Sequence, residues 1–208
     1  PAQGSAEFDG SSDYIEIKDD GKGTAFETQT FTIGAWVYVN DTDYKQIWSY
    51  DFTSHSSPYY AQHLRIVNGS LQFAWNNSTT NIQISSSNSL INNKEWYYVT
   101  ATFESGAQKI YIDGSEVASN TRADTITYYN QEIWIGKGNF AYMGGNLSNV
   151  AFWNRALSSD EINSVMWKAA GSLTDSEKNG LQAWYSLDNI DGTNVPDSSG
   201  NGNDGTAY

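Results

Sequence analysis

The 208-residue sequence has no cysteine, which excludes disulfides and all thiol chemistry. It is short of positive charge: 11 Lys and Arg stand against 24 Asp and Glu, for a formal net charge of −13. No basic stripe runs through it, which argues against a phosphate-tracking surface and against nucleic acid as a partner. No apolar run approaches the roughly 18 residues that cross a bilayer, so membrane insertion is not expected. No signal peptide opens the sequence. Charged residues (17%) and hydrophobic residues (38%) are both scarce against ordinary globular usage. Aromatic side chains are plentiful instead: 8 Trp, 14 Tyr and 8 Phe. They supply enough apolar surface to fill a core and make whole-chain disorder a poor reading. An acidic, Lys-poor surface suits divalent cations and neutral ligands. The length fits a single β-sandwich over residues 1–208.

The pattern has a period of two nearly throughout, the signature of half-buried strands. Phe31, Ile33, Ala35, Val37 and Val39 share one face, with Trp36 and Tyr38 on the other. Tyr97, Val99, Ala101 and Phe103 repeat the arrangement against Trp96, Tyr98, Thr100 and Thr102. Further strands are predicted at 14–17, 46–50, 63–67, 71–75, 109–112, 132–135, 149–153 and 181–187. Asn68-Gly69, Ser105-Gly106 and Asp113-Gly114 are hairpin turns, because both central residues of the favoured turn need positive φ. Ser158 and Glu161 form a capping box that starts a helix over about 158–168, and Thr174 and Glu177 form a second box that Gly180 limits to about a turn. The fold class is therefore all-β, an antiparallel two-sheet jelly-roll sandwich with one short helix.

Several segments resemble a known family. Ala6-Glu7-Phe8-Asp9-Gly10 with Asp13-Tyr14-Ile15-Glu16-Ile17 is similar to the opening of laminin G-like jelly rolls, within the concanavalin A-like lectin/glucanase fold. Phe31 to Val37, Glu95 to Val99 with Ile110 to Gly114, and Gly145 to Ser158 resemble its second strand, central hairpin and closing strand with helix, in a pentraxin-like version. The order is unusual at one end. A stretch like 180–188 with Asp197-Ser198-Ser199-Gly200-Asn201-Gly202 commonly opens such a domain, and here it closes the sequence. The resemblance implies circular permutation, or excision from a larger multidomain protein, and a closing segment from Gly180 that pairs inside the sandwich.

The loop at 197–204 has oxygen-bearing side chains at its first, third and fifth positions and Gly at the sixth, a spacing that can wrap a hard cation. Asp197, Ser199, Asn201, Asn203 and Asp204 are the expected ligands of a structural Ca2+; the alternative is a Gly/Asn-rich turn with Asp in local hydrogen bonds. The acidic run of the pentraxin calcium site has no counterpart at 136–140. The glucanase pattern Glu-x-Asp-x-x-Glu is also missing, since Ser12 stands where Glu7 and Asp9 would need a third carboxylate. His55 and His63, the two histidines, are expected as loop or surface residues with no catalytic part.

Sugars are held by stacking on aromatic rings, with polar side chains fixing the hydroxyls. Trp48, Tyr50, His55, Tyr59 and Tyr60 around the 51–58 loop, with Tyr128 and Tyr129, are the expected ligand-binding residues. The sequence thus reads as a non-catalytic, calcium-stabilised lectin-like module. Its expected partner is a glycan or polysaccharide, and its setting extracellular, a cell surface or a virion surface. A structural or protein-interaction spacer of an adhesin or virion fibre is the first alternative, and a hydrolase or lyase of the same fold the second.

Overall fold

A computed structural model describes residues 4–17, 25–51, 60–128, 132–138 and 141–208. Two antiparallel sheets face each other. The first holds β1 (Ala6–Asp9), β3 (Thr30–Val39), β8 (Trp96–Glu104), β9 (Ala107–Ile112), β10 (Ser115–Thr121), β12 (Gly144–Trp153) and β13 (Leu181–Tyr185). Its order is β1-β12-β3-β8-β9-β10, with β13 also paired to β12. The second holds β2 (Ile15–Ile17), β4 (Lys45–Asp51), β5 (Tyr60–Val67), β6 (Ser70–Asn76), β7 (Asn81–Ser85), β11 (Glu132–Ile135), β14 (Asn194–Val195) and β15 (Gly205–Ala207). Its order is β14-β15-β2-β11-β4-β5-β6-β7. The jelly-roll sandwich expected from the alternating pattern is what forms. Strands β1, β7, β14 and β15 fall outside the predicted ones.

The alternation sorts side chains as expected. Phe31, Ile33, Val37, Val99 and Phe103 enter the core between the sheets, and Trp36 and Tyr98 leave on the far side. Phe31 stacks on Phe103 at 5.5 Å and on Phe152 at 5.6 Å, and Trp48 stacks on Phe152 from the opposite sheet at 5.6 Å. These contacts close the two layers, each ring pair adding to the free energy of area burial. The hairpin turns take the predicted geometry: Asn68 and Gly69 have φ 51° and 72°, and Asp113 and Gly114 have 49° and 77°.

Both capping boxes form. Ser158 and Glu161 cap α1 (Ser159–Val165), and Thr174 and Glu177 cap α2 (Asp175–Lys178). The first helix ends earlier than predicted, at the turn through Met166, where Lys168 donates to the Val165 carbonyl. It packs Ile162 and Val165 on the outer face of the seven-stranded sheet, against Trp36, Tyr98, Trp153 and Trp184. Two indoles fasten the helices there: Trp36 Nε1 donates to the Met166 carbonyl at 2.7 Å, and Trp153 Nε1 to the Glu177 carbonyl at 2.8 Å.

The closing segment is integral. Strand β13 pairs β12, and β15 lies between β14 and β2. Tyr14 and Tyr208 exchange backbone hydrogen bonds at 2.9 and 3.3 Å. One detail departs from the predicted stripe. Ala183, Tyr185 and Leu187 point into the main core, but Leu181 joins the helix-side cluster, because a bulge between Phe152 and Trp153 resets the register.

Candidate functional site

Helices cover the outer face of the seven-stranded sheet, which leaves the outer face of the eight-stranded sheet to consider. Its inward residues are Ile15, Ile17, Trp48, Tyr50, Leu64, Ile66, Ile133 and Ile135, all in the core. The alternate positions project the other way and line up across strands about 4.8 Å apart. One row runs Glu132, Asp51, Tyr60. The next runs Glu16, Trp134, Ser49, His63, Ala74. At the other end Gln46 pairs with Arg65 and Arg65 with Gln72. Lys137 follows β11 at the same end: Gly136 donates to the Ile47 carbonyl, and Gly138 approaches the Gln46 side chain.

The middle of the face is polar and buried. His63 Nε2 lies 3.1 Å from Asp51 Oδ2, and the Tyr60 ring stacks on the imidazole at 4.1 Å. Ser49 Oγ donates to the Lys137 carbonyl at 2.6 Å. On one flank Lys137 Nζ sits over two rings, Tyr14 at 3.7 Å and Trp134 at 4.2 Å, and Tyr14 stacks on Tyr208 at 4.8 Å. Such contacts hold a cation without a counter-charge. Burial lowers the Lys137 pKa, and Glu132, Glu16 and Asp51 oppose that shift from a distance. Burial, aided by Glu16, raises the Glu132 pKa. On the other flank Arg65 donates Nε–H to Gln72, one Nη–H to the Tyr44 hydroxyl and the other to Gln83. Burial also raises the Tyr60 pKa, against the pull of Arg65. The Trp134 indole N–H is buried with no partner among the described residues.

The expected ligand residues fare unequally. Trp48 and Tyr50 are corrected: both are fully buried between the sheets, Trp48 against Phe26 and Phe152, and the Tyr50 hydroxyl donates to Glu27. Bulges at 46–48 and 50–51 place Ser49 and Asp51 outward and these two rings inward. Tyr60 is on the face. Tyr128 is half-buried, its hydroxyl tied to the Thr28 carbonyl at 2.7 Å and its ring edge-on to Tyr50. His55, Tyr59 and Tyr129 lie outside the described residues. His63 is not a loop residue but a β5 side chain 5% exposed. The sequence reading passed over Arg65, Lys137 and Asp51. Parity marks two of them, Arg65 between core Leu64 and Ile66 and Asp51 beside core Tyr50, while Lys137 has the parity of core Ile133 and Ile135 and carries no such signal.

The 197–204 loop binds its own donors. Asp197 Oδ1 accepts from the Trp184 and Ser199 N–H groups, both at 2.9 Å. Oδ2 accepts from Ser199 Oγ at 2.8 Å and the Asn203 N–H at 3.1 Å. Asp204 accepts from the Asp197 N–H, and the Asn201 and Asn203 amides point their donors at the Gln182 carbonyl. N–H groups converging on a carboxylate suit an anion, and a cation needs free oxygens. As arranged, Asp197, Ser199, Asn201, Asn203 and Asp204 do not fit Ca2+, and among the described residues no group of three His, Cys, Asp or Glu could hold a metal.

A cleft of about 650 Å³ lies on the helix side, between Thr102, Tyr111 and the start of α1. Its charges are mutually neutralised, Lys109 with Glu116 at 2.9 Å and Glu161 with Arg155 at 2.8 Å. It offers no exposed ring, since Tyr111 is 3% exposed.

Residues 9–163 match the laminin G family described as the concanavalin A-like lectin/glucanases superfamily. The chain belongs to this family. No curated protein sequence matches this laminin G-like chain. Among solved structures it is similar to a candidate carbohydrate binding protein from Bacteroides ovatus, with TM-score 0.72 and 21% identity over 98% of this chain. The chain spans 57% of that protein's length. It is also similar to the IT-sialidase CBM40 of Ruminococcus gnavus bound to α2,3-sialyllactose, with TM-score 0.63 and 12% identity over 78% of this chain and 96% of that one. A SAP-like pentraxin from Limulus polyphemus follows the same fold, with TM-score 0.57 and 16% identity over 76% of this chain and 79% of that one. No helix among the described residues is long and apolar enough to cross a membrane.

Proposed function

We propose that this chain is a non-catalytic carbohydrate-binding module that holds a surface glycan or polysaccharide on the outer face of its eight-stranded sheet. One observation carries the reading: the exposed Tyr44 ring and the half-buried Tyr60 ring stand on that face with the hydrogen-bonding side chains of Arg65, Gln72 and Gln83, above a buried layer that includes Trp134, His63 and Gln46. Rings provide the stacking surface for pyranose C–H groups, and amides and guanidinium fix hydroxyls. Fold relatives described as carbohydrate-binding support the same class. Such a module acts outside the cell, on a cell or virion surface. The reading needs no calcium.

Glycoside hydrolysis is the second reading, and one observation favours it. Glu132 and Asp51 are cross-strand neighbours on this face, and burial raises the Glu132 pKa as a general acid requires. Against it stands the engagement of Asp51 with His63. A glycan array with the wild-type protein, followed by Tyr44→Ala and Tyr60→Ala, tests the proposal. Binding that falls at least tenfold in both variants, with melting still cooperative, supports it. Wild-type binding to no glycan overturns it, and release of reducing sugar from a bound glycan establishes the second reading in its place.

A further inference from the structure

The chain carries a large excess of carboxylates, and most of its described cations find one. Lys45 pairs with Asp41, Lys109 with Glu116, Arg122 with Asp124, Arg155 with Glu161 and Lys168 with Glu177, at 2.5–3.0 Å. Arg65, Lys94, Lys137 and Lys178 do not: among the described residues none of the four has a carboxylate within 4.0 Å, and of these Arg65 and Lys137 belong to the outer face of the eight-stranded sheet. Both lie at the same end of the glycan face, one on each side of Gln46. Two strand spacings separate their backbones, about 10 Å.

The way they are held matters. Neutral groups fix Arg65 through three of its N–H donors, Gln72, Gln83 and the Tyr44 hydroxyl. The guanidinium is therefore oriented without being neutralised, with two of its five N–H donors still to place. The aromatic rings under Lys137 do the same for its ammonium group. The carboxylates of the face gather at its opposite end, Glu132 and Asp51, with Glu16 in the row between. The face is thus polarised along its strands, acidic at one end and basic at the other. The 36% exposed Tyr44 ring stands at the basic end, its hydroxyl on Arg65, and the half-buried Tyr60 ring, stacked on His63, stands toward the acidic one.

We propose that the glycan bound on this face carries a carboxylate, seated against Arg65 at the basic end, with Lys137 two strands away adding long-range attraction. The inference rests on the glycan-binding reading and names its ligand class: an oligosaccharide containing a uronic or sialic acid. A guanidinium edge matches a planar carboxylate in two parallel hydrogen bonds, which a lysine at the same place does not reproduce. An otherwise acidic surface would repel such a ligand everywhere else, so the basic end also sets the direction in which it lies.

The test uses the full chain and a panel of matched sugars: sialyllactose against lactose, and oligogalacturonate against its methyl ester, a sulfated oligosaccharide and a neutral galacto-oligosaccharide. An acidic sugar should bind at least tenfold tighter than its neutral partner. Its affinity should fall with added salt, and Arg65→Gln should remove the preference. Arg65→Lys should restore part of the salt dependence but not the affinity. A thermal melt of each variant separates lost binding from lost fold. Binding of neutral sugars with equal affinity, a preference that survives Arg65→Gln, or a preference for sulfate over carboxylate each overturns the inference while glycan binding stands. Binding to no sugar of any kind overturns glycan binding itself.

Discussion

His63 and Asp51 form a buried pair on neighbouring strands, Nε2 to Oδ2 at 3.1 Å, on the outward side of the eight-stranded sheet. Their side chains are 7% and 1% exposed. A pair so placed is costly to break from one side, because the remaining partner stays out of water. Asp51→Ala is expected to cost about 2–4 kcal/mol by urea unfolding. Asp51→Asn, which keeps an acceptor for the imidazole, should cost less than half of that. Equal losses in the two variants would show that the imidazole does not depend on this contact.

Asp197 is the hub of the loop at 197–204, with four donors on its two oxygens. One of them is a backbone N–H of β13, so the loop clamps that strand. Asp197→Ala should cost about 1–3 kcal/mol, since it orphans the N–H of buried Trp184 together with three half-buried donors. The same melts run with EDTA and with added Ca2+ should coincide for the wild-type protein. A melting temperature that rises by several degrees with Ca2+ would return the loop to the role its spacing suggests.

Glu177 predicts an acid-sensitive step. Burial works to raise its pKa, but donors from Lys168, Ser164 and Thr174 outweigh that and bring it from 4.5 to about 2. A carboxylate whose pKa is depressed on folding contributes stability that is fully present above the unfolded value and is lost as pH falls through the folded one. The contribution of Glu177 should therefore disappear between about pH 4.5 and pH 2. In Glu177→Gln the stability curve should be lower at neutral pH and flatter across that window. Parallel curves for the two proteins would remove Glu177 from the acid response.

Residues from Gly180 onward supply β13, β14 and β15, and Ala183, Tyr185 and Leu187 fill the main core. A chain that stops before Gly180 should lose cooperative thermal unfolding altogether. A truncated chain that melts as sharply as the whole would mean that these strands decorate the sandwich instead of completing it.

Much of this architecture is legible in the residues. The side of the sheet taken by Phe31, Trp36, Val99 and Tyr98 follows from alternation alone, and the caps at Ser158 and Thr174 follow from local chemistry. The binding face was harder. Trp48 and Tyr50 look like wet aromatics beside a polar loop, but two bulges in β4 decide which neighbours face out, and a bulge leaves no mark on a period-two pattern. The role of the cations was hidden for another reason. Arg65 and Lys137 gain meaning from what they lack, a carboxylate within reach, and that is a property of three-dimensional neighbourhood. The loop at 197–204 misled in the opposite sense: the spacing of its oxygens fits a cation, but one of the N–H groups that fill them comes from β13, outside the loop and 13 residues before Asp197.

The first and last strands, β1 and β15, belong to different sheets. Tension applied to both ends of the chain would enter each layer through a short strand, of four residues in β1 and three in β15. Those are short ladders to carry a load, while β3 and β12, of ten residues each, lie behind them. Under stretch the sandwich should first give up its ends at low force and yield as a whole only later, in two separable steps on a force–extension trace. A domain strung along a fibre or tether would in that way slacken before it let go of what its broad face holds.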